Sequence, residues 1–245
     1  MPIVVSMFAF VATGLGGLLA LRARDRLHLI LGFSAGVLLG LVAFELLPEV
    51  FDLSPDVARV PLGMITFVGG FLVLHIVERA AGVHETVDSE YGEHSHAHHG
   101  VGLLGAGALI VHSFLDGLAI GLAFQVSSSV GWAVAIAVLA HDFADGLNTV
   151  TVMLRHGHTR RRALELLVLD AVAPILGAIV GTIVQPSTTF LAAYLGAFAG
   201  FLTYLATADI LPEAHSRHPS RLTLVSTVGG VLVMWAVAAA SAGSL

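Results

Sequence analysis

Two heptads in this chain carry the same chemistry-bearing pattern, "HSFLDGL" at 112–118 and "HDFADGL" at 141–147. Each sets a histidine four residues before an aspartate, followed at once by glycine, inside an otherwise apolar run. On a helix that spacing stacks the two side chains on one face, so His112 stands over Asp116 and His141 over Asp145. Imidazole with carboxylate suits a borderline divalent ion such as Zn²⁺. If the two helices are antiparallel neighbours, the four groups face one another as metal ligands do between bundle helices. Asp116 and Asp145 are then placed to bridge to a second ion, with Asp142 as a further ligand. Gly117 and Gly146 are expected to let the backbones approach and bend where an ion passes. Three other readings use the same residues: a buried polar network, a metal-free proton relay, and the zinc centre of an intramembrane hydrolase. Against the hydrolase, the chain has no H-E-x-x-H helix.

The elements that position these residues must be membrane helices. The chain is 56% hydrophobic and 11% charged, against about 45–50% and about 25% in soluble domains. Cysteine is absent, which rules out disulfides and thiolate metal sites. No basic stripe with interleaved aromatics points to nucleic acid. A crossing takes about 20 apolar residues, and eight stretches qualify: approximately 2–21, 28–50, 60–81, 101–125, 130–154, 163–184, 188–211 and 221–243. The whole chain, 1–245, therefore reads as one all-α transmembrane domain. The first stretch lacks a basic region before it, so it reads as a helix and not as a signal peptide.

Ten of the eleven arginines fall in the connections after helices 1, 3, 5 and 7, and only Arg59 falls in the opposite set. The positive-inside rule then puts both termini outside. The long polar loop 82–100, "GVHETVDSEYGEHSHAHHG", falls on the cytoplasmic side. Its His94, His96, His98 and His99 read either as a loose metal-capture cluster or as a solvated linker.

A repeat lies beneath the hydropathy. "GFSAGVLLGLVAFELLPE" (32–49) matches "GAFAGFLTYLATADILPE" (196–213), with Gly32/Gly196, Gly36/Gly200, Glu45/Asp209, Pro48/Pro212 and Glu49/Glu213 each 164 residues apart. These segments fall in helices 2 and 7, which run in opposite directions. The arrangement is 3+2+3: helices 1–3 repeat, inverted, as 6–8, with helices 4 and 5 between them. Inverted repeats are characteristic of transporters, because they supply related conformations open to opposite sides.

On these residues the chain resembles the ZIP (Zrt/Irt-like) family of divalent metal transporters over its whole length, and "HDFADGLNTV" is most similar to a prokaryotic, GufA-like branch. The resemblance implies a binuclear site: His112, Asp116, His141 and Asp145 at one position, and Ser113, Asp116, Asp142 and Asp145 at the other. Asp170, one turn before Pro174, would complete the second, although the family acid aligns nearer Ala173. Glu45, Asp209, Glu213 and His215 would mark the ends of the pathway. Helices 1, 4, 5 and 6 would move against 2, 3, 7 and 8, within a homodimer, in a bacterial inner membrane. Zinc or a related divalent cation is then cargo and no catalytic cofactor is expected; the chain is not an enzyme. Departures from the family pattern are Leu115 and Ala144 in place of proline, Asp116 and Asp145 in place of glutamate, Ser113 in place of asparagine, and Leu38 in place of methionine. With carboxylates so prominent, Mn²⁺, Fe²⁺ and Cd²⁺ remain open as cargo beside Zn²⁺.

Overall fold

The structure is a computed structural model that describes residues 1–21, 27–81, 99–216 and 221–242. Eight long helical segments carry the chain: α1 (Pro2–Ala20), α2 (27–53), α3 (Leu62–Ala81), α4 (His99–Val126), α5 (Ser128–Arg155), α6 (Arg160–Ile183), α7 (188–216) and α8 (Arg221–Ala242). Among the described residues, seven helices are long and apolar enough to cross a membrane, while α3 has a shorter apolar stretch, Leu62–Val77. The protein is thus an all-α integral membrane protein. His94, His96 and His98 lie outside the described residues, and His99 opens α4.

Two boundaries differ from the sequence reading. Helices 2 and 7 run on past the shared Leu-Pro-Glu, to Leu53 and Ser216. Neither proline breaks its helix, because each sits in the first turn of a segment that restarts after a π-helical turn, Val42–Leu46 or Leu205–Ile210. Proline is tolerated there, where its missing N–H is not needed. Between α2 and α3 the chain turns through a two-stranded ribbon, β1 (Asp56–Val57) against β2 (Val60–Pro61). Between α4 and α5 there is one residue, Ser127, whose hydroxyl accepts from the Val130 N–H at 3.1 Å and caps α5. So short a link makes α4 and α5 adjacent and antiparallel.

Glycines set the helix pairs. A Cβ on Gly16 (α1) would fall on the carbonyl oxygen of Phe143 (α5), and one on Gly146 (α5) on that of Thr13 (α1). The repeat-related pair does the same: Gly177 (α6) meets the Phe114 carbonyl (α4), and Gly117 (α4) meets that of Pro174 (α6). A second set locks Gly36 and Gly230 between α2 and α8, and Gly200 and Gly70 between α7 and α3, again each against the partner's backbone carbonyl. Small residues that admit a neighbouring backbone are how helices associate in lipid, where apolar surfaces gain little by meeting. Because each crossing recurs at the repeat-related place, the inverted repeat extends from sequence to packing. The two π turns, which bear Glu45 and Asp209 164 residues apart, follow the same relation. Gln125 adds a polar tie between α4 and α6, donating to the carbonyls of Gly181 (2.6 Å) and Val184 (2.7 Å), which end α6 without helical partners.

Candidate metal centre

The single-residue link brings the two heptads face to face. His112 Nε2 lies 3.2 Å from Asp116 Oδ2 and 3.3 Å from Asp145 Oδ2. His141 Nε2 lies 3.2 Å and 3.7 Å from the same two oxygens. Each imidazole nitrogen therefore borders both carboxylates, and the four ligand atoms lie within 4.8 Å of one another. A tetrahedral ion with ligands at 2.0–2.1 Å has donor–donor edges of about 3.3–3.4 Å. Four edges of this quartet already approach that length. All four side chains are buried. Burying two carboxylates at membrane depth costs about 2.5–3.5 kcal/mol each on insertion scales, which a bound cation offsets.

The other expected residues divide. Asp142 is fully buried and neither of its oxygens has a hydrogen-bond partner, so it remains an open acceptor beside His141. Asp170 is committed: it accepts from the Ser113 hydroxyl at 2.6 Å and from the Thr149 hydroxyl at 2.7 Å, tying α6 to α4 and α5. Ser113 thus faces Asp170. Among the described residues, neither Asp142 nor Asp170 joins the group of ligands close enough to share one ion, and nor do Glu45, Asp209 and His215. Glu45 has one buried oxygen without a hydrogen-bond partner, in the π turn of α2. His215 donates Nδ1–H to the Leu211 carbonyl of its own helix at 2.8 Å. Glu213 lies on the short final segment of α7, Leu211–Ser216.

Gly117 and Gly146 do not bring α4 and α5 together. They receive α6 and α1, as the carbonyl contacts above show, because consecutive residues on a helix point about 100° apart. With Asp116 and Asp145 turned to the shared site, each following glycine faces the outer neighbour.

Three contributors went unread in the sequence. Thr149 stands four residues after Asp145 on the same face, a signal that was available. Phe201 of α7 stacks on the His112 ring, centroids 4.8 Å apart and planes at 27°. The Tyr194 hydroxyl donates to the Leu115 carbonyl at 2.8 Å. Neither of these two has a local sequence signal, since both depend on where α7 lies against α4.

A family model described as ZIP Zinc transporter matches residues 84–238. The zinc transporter ZupT of Chlorobium luteolum is 27% identical over 251 residues, covering 95% of this chain and 94% of that protein. The zinc transporter YKE4 of Saccharomyces cerevisiae is 28% identical over 229 residues, covering 81% of this chain and 66% of YKE4. The zinc transporter ZIP10 of Mus musculus is 35% identical over 104 residues, which is 42% of this chain and 12% of ZIP10. The chain therefore spans nearly all of one such relative and a small part of another.

Proposed function

This chain belongs to the ZIP zinc transporter family, and from that premise we propose that it carries divalent metal cations, zinc foremost, across the membrane into the cytoplasm. The observation that carries the reading is the buried quartet, two imidazoles and two carboxylates with four nitrogen–oxygen distances of 3.2, 3.3, 3.2 and 3.7 Å between adjacent membrane helices. His112, Asp116, His141 and Asp145 hold the cation. Asp142, Ser113 and Asp170 line a second position that shares Asp116 and Asp145 with the first. Glu45 on α2, with Asp209, Glu213 and His215 on α7, mark the two ends of the pathway. Histidines 94, 96 and 98, with His99 at the start of α4, either bind metal loosely on the cytoplasmic side or form part of a solvated linker.

Ten arginines on one set of connections support termini that face outward, and the likeness to ZupT of Chlorobium luteolum supports a bacterial inner membrane. An inside-negative potential then favours cation entry by about 2.3 kcal/mol per charge per 100 mV. The glycine locks join α1 to α5 and α4 to α6, and separately α2 to α8 and α3 to α7. That division supports movement of the 1/4/5/6 group, which carries the quartet, against the other four helices; the homodimer rests on the family resemblance alone. The protein is a transporter and not an enzyme. The hydrolase alternative gains nothing from the relatives, which are themselves described as zinc transporters.

The test is zinc entry into sealed proteoliposomes with a trapped fluorescent indicator, wild type beside Asp145→Asn. Saturable entry in the wild type, lost in a folded variant, is expected. Entry no faster than in empty liposomes, with properly inserted protein and several metals tried, overturns the proposal.

A further inference from the structure

The two imidazoles of the quartet are held by different means. His141 donates its Nδ1–H to the Ala137 carbonyl at 2.8 Å, one turn back in its own helix, which leaves Nε2 free to face the carboxylates. His112 has no such anchor: both of its ring nitrogens are buried without a hydrogen-bond partner, although Nε2 lies close to two carboxylates. Metal-binding histidines are almost always oriented by a hydrogen bond from the second ring nitrogen. At His112 the face of Phe201 covers the ring instead.

Phe201 belongs to α7, which is locked to α3, whereas His112 belongs to α4, which is locked to α6. The aromatic contact therefore crosses between the two glycine-locked groups of helices at the ligand, beside the hydrogen bonds of Tyr194 to the Leu115 carbonyl and of Ser34 to the Ala140 carbonyl, which cross between them too. Its repeat-related position, 164 residues earlier, is Val37, an aliphatic side chain buried on α2. The asymmetry is consistent, since the His141 half already has its hydrogen bond.

Phe201 borders open space. It lines a shallow groove of about 410 Å³ on the outer face of α3, α4 and α7, with the half-buried Thr66, Gly69, Leu115 and Tyr194 and the exposed Val73. The groove is apolar, and its two hydroxyls are already used: Thr66 donates to the Gly63 carbonyl and Tyr194 to that of Leu115. A Cβ added at Gly69 would meet nothing within 4 Å.

We propose that Phe201 is a positioning residue for His112. Stacked, it holds the imidazole at the cation; turned out into the neighbouring groove, it frees that one ligand and lowers the affinity of the site, so the placement of α7 sets how firmly the cargo is held. This rests on the reading of the quartet as the cation site. His112 is the ligand that lets go, and His141 the one that stays.

The test is zinc affinity of the detergent-purified full chain, measured by competition with a chromophoric chelator, with zinc entry into proteoliposomes measured alongside. Phe201→Ala is expected to weaken binding by about 10–100-fold, the usual loss when a partner orienting a ligand is removed, and Phe201→Tyr to restore it. In a His112→Ala background, Phe201→Ala is expected to cost nothing more, since a residue acting only through His112 has nothing left to orient. Gly69→Leu, which places a side chain in the groove that Phe201 would turn into, is expected to keep zinc affinity at or above wild type while lowering maximal entry rate. Equal weakening by Phe201→Ala with and without His112 would mark general packing and overturn the proposal. So would unchanged affinity in Phe201→Ala where His112→Ala binds weakly, and that result leaves the cation site standing. Unchanged affinity in His112→Ala itself would remove the cation site, and this inference with it.

Discussion

Replacing Asp116 with asparagine isolates what the quartet does. The substitution keeps shape and removes one charge. In the wild type the two carboxylates contribute −2, the imidazoles are neutral ligands, and a divalent cation brings the quartet to zero. Asp116→Asn leaves a net +1 in a site whose side chains are at most 3% exposed. An unpaired charge left by removing one buried partner costs about 3–5 kcal/mol, and every 1.4 kcal/mol is about tenfold in affinity. The expected loss is therefore about two to three and a half powers of ten. Asp145→Asn is expected to cost slightly less than Asp116→Asn, because Asp145 Oδ2 lies 3.3 and 3.7 Å from the imidazoles where Asp116 Oδ2 lies at 3.2 Å from both. Without metal the substitution also takes from both imidazoles their carboxylate partner at 3.2 Å, so the unliganded variant must serve as its own baseline. Thermal unfolding in detergent, with and without zinc, reads both effects, since a ligand at a hundredfold excess over its Kd stabilises by about 2.7 kcal/mol. Wild-type zinc stabilisation in Asp116→Asn would refute the reasoning, and so would a severe effect there with none in Asp145→Asn, which would break the pairing of the two frames.

Three further outcomes are expected. Gly146→Val drives a side chain into the Thr13 carbonyl and should lower stability by about 1–3 kcal/mol or more, whereas Gly14→Val, with nothing within 4 Å of a Cβ, should show no comparable clash; melting temperatures in detergent compare them. Thr149→Val takes one of two hydroxyl donors from Asp170 and should cost about 1–3 kcal/mol of stability, with a far smaller loss of zinc affinity than Asp116→Asn. Because the chain has no cysteine, single cysteines report orientation directly: Ser187→Cys should react with a membrane-impermeant maleimide on intact cells, and Thr159→Cys only after permeabilisation.

The repeated heptad also shows what a sequence reveals and what it withholds. The helices were legible because long apolar runs leave the chain no other way to satisfy its backbone in lipid. The quartet was legible because a four-residue spacing fixes a shared face within one helix, and two matching frames on adjacent helices leave few ways to meet. The π turns were not: a π turn inserts a single residue, and "VAFEL" and "LATADI" read as ordinary helix by apolarity. Their common position was visible only as the match of Glu45 to Asp209. Phe201 and Tyr194 were illegible for a different reason, since their contacts depend on how α7 lies against α4, which no local spacing encodes. The glycines fall between. Their closeness to another backbone was expected, but the backbone they meet was not. Aspartate and glycine are consecutive in both frames, so their directions differ by about 100°. That angle answers why the pair recurs: the acid faces the site on the shared side, while the glycine seats α4 on α6 and α5 on α1. One dipeptide thus fixes both a ligand and the helix packing that holds it, and a substitution at either residue should be read for both effects.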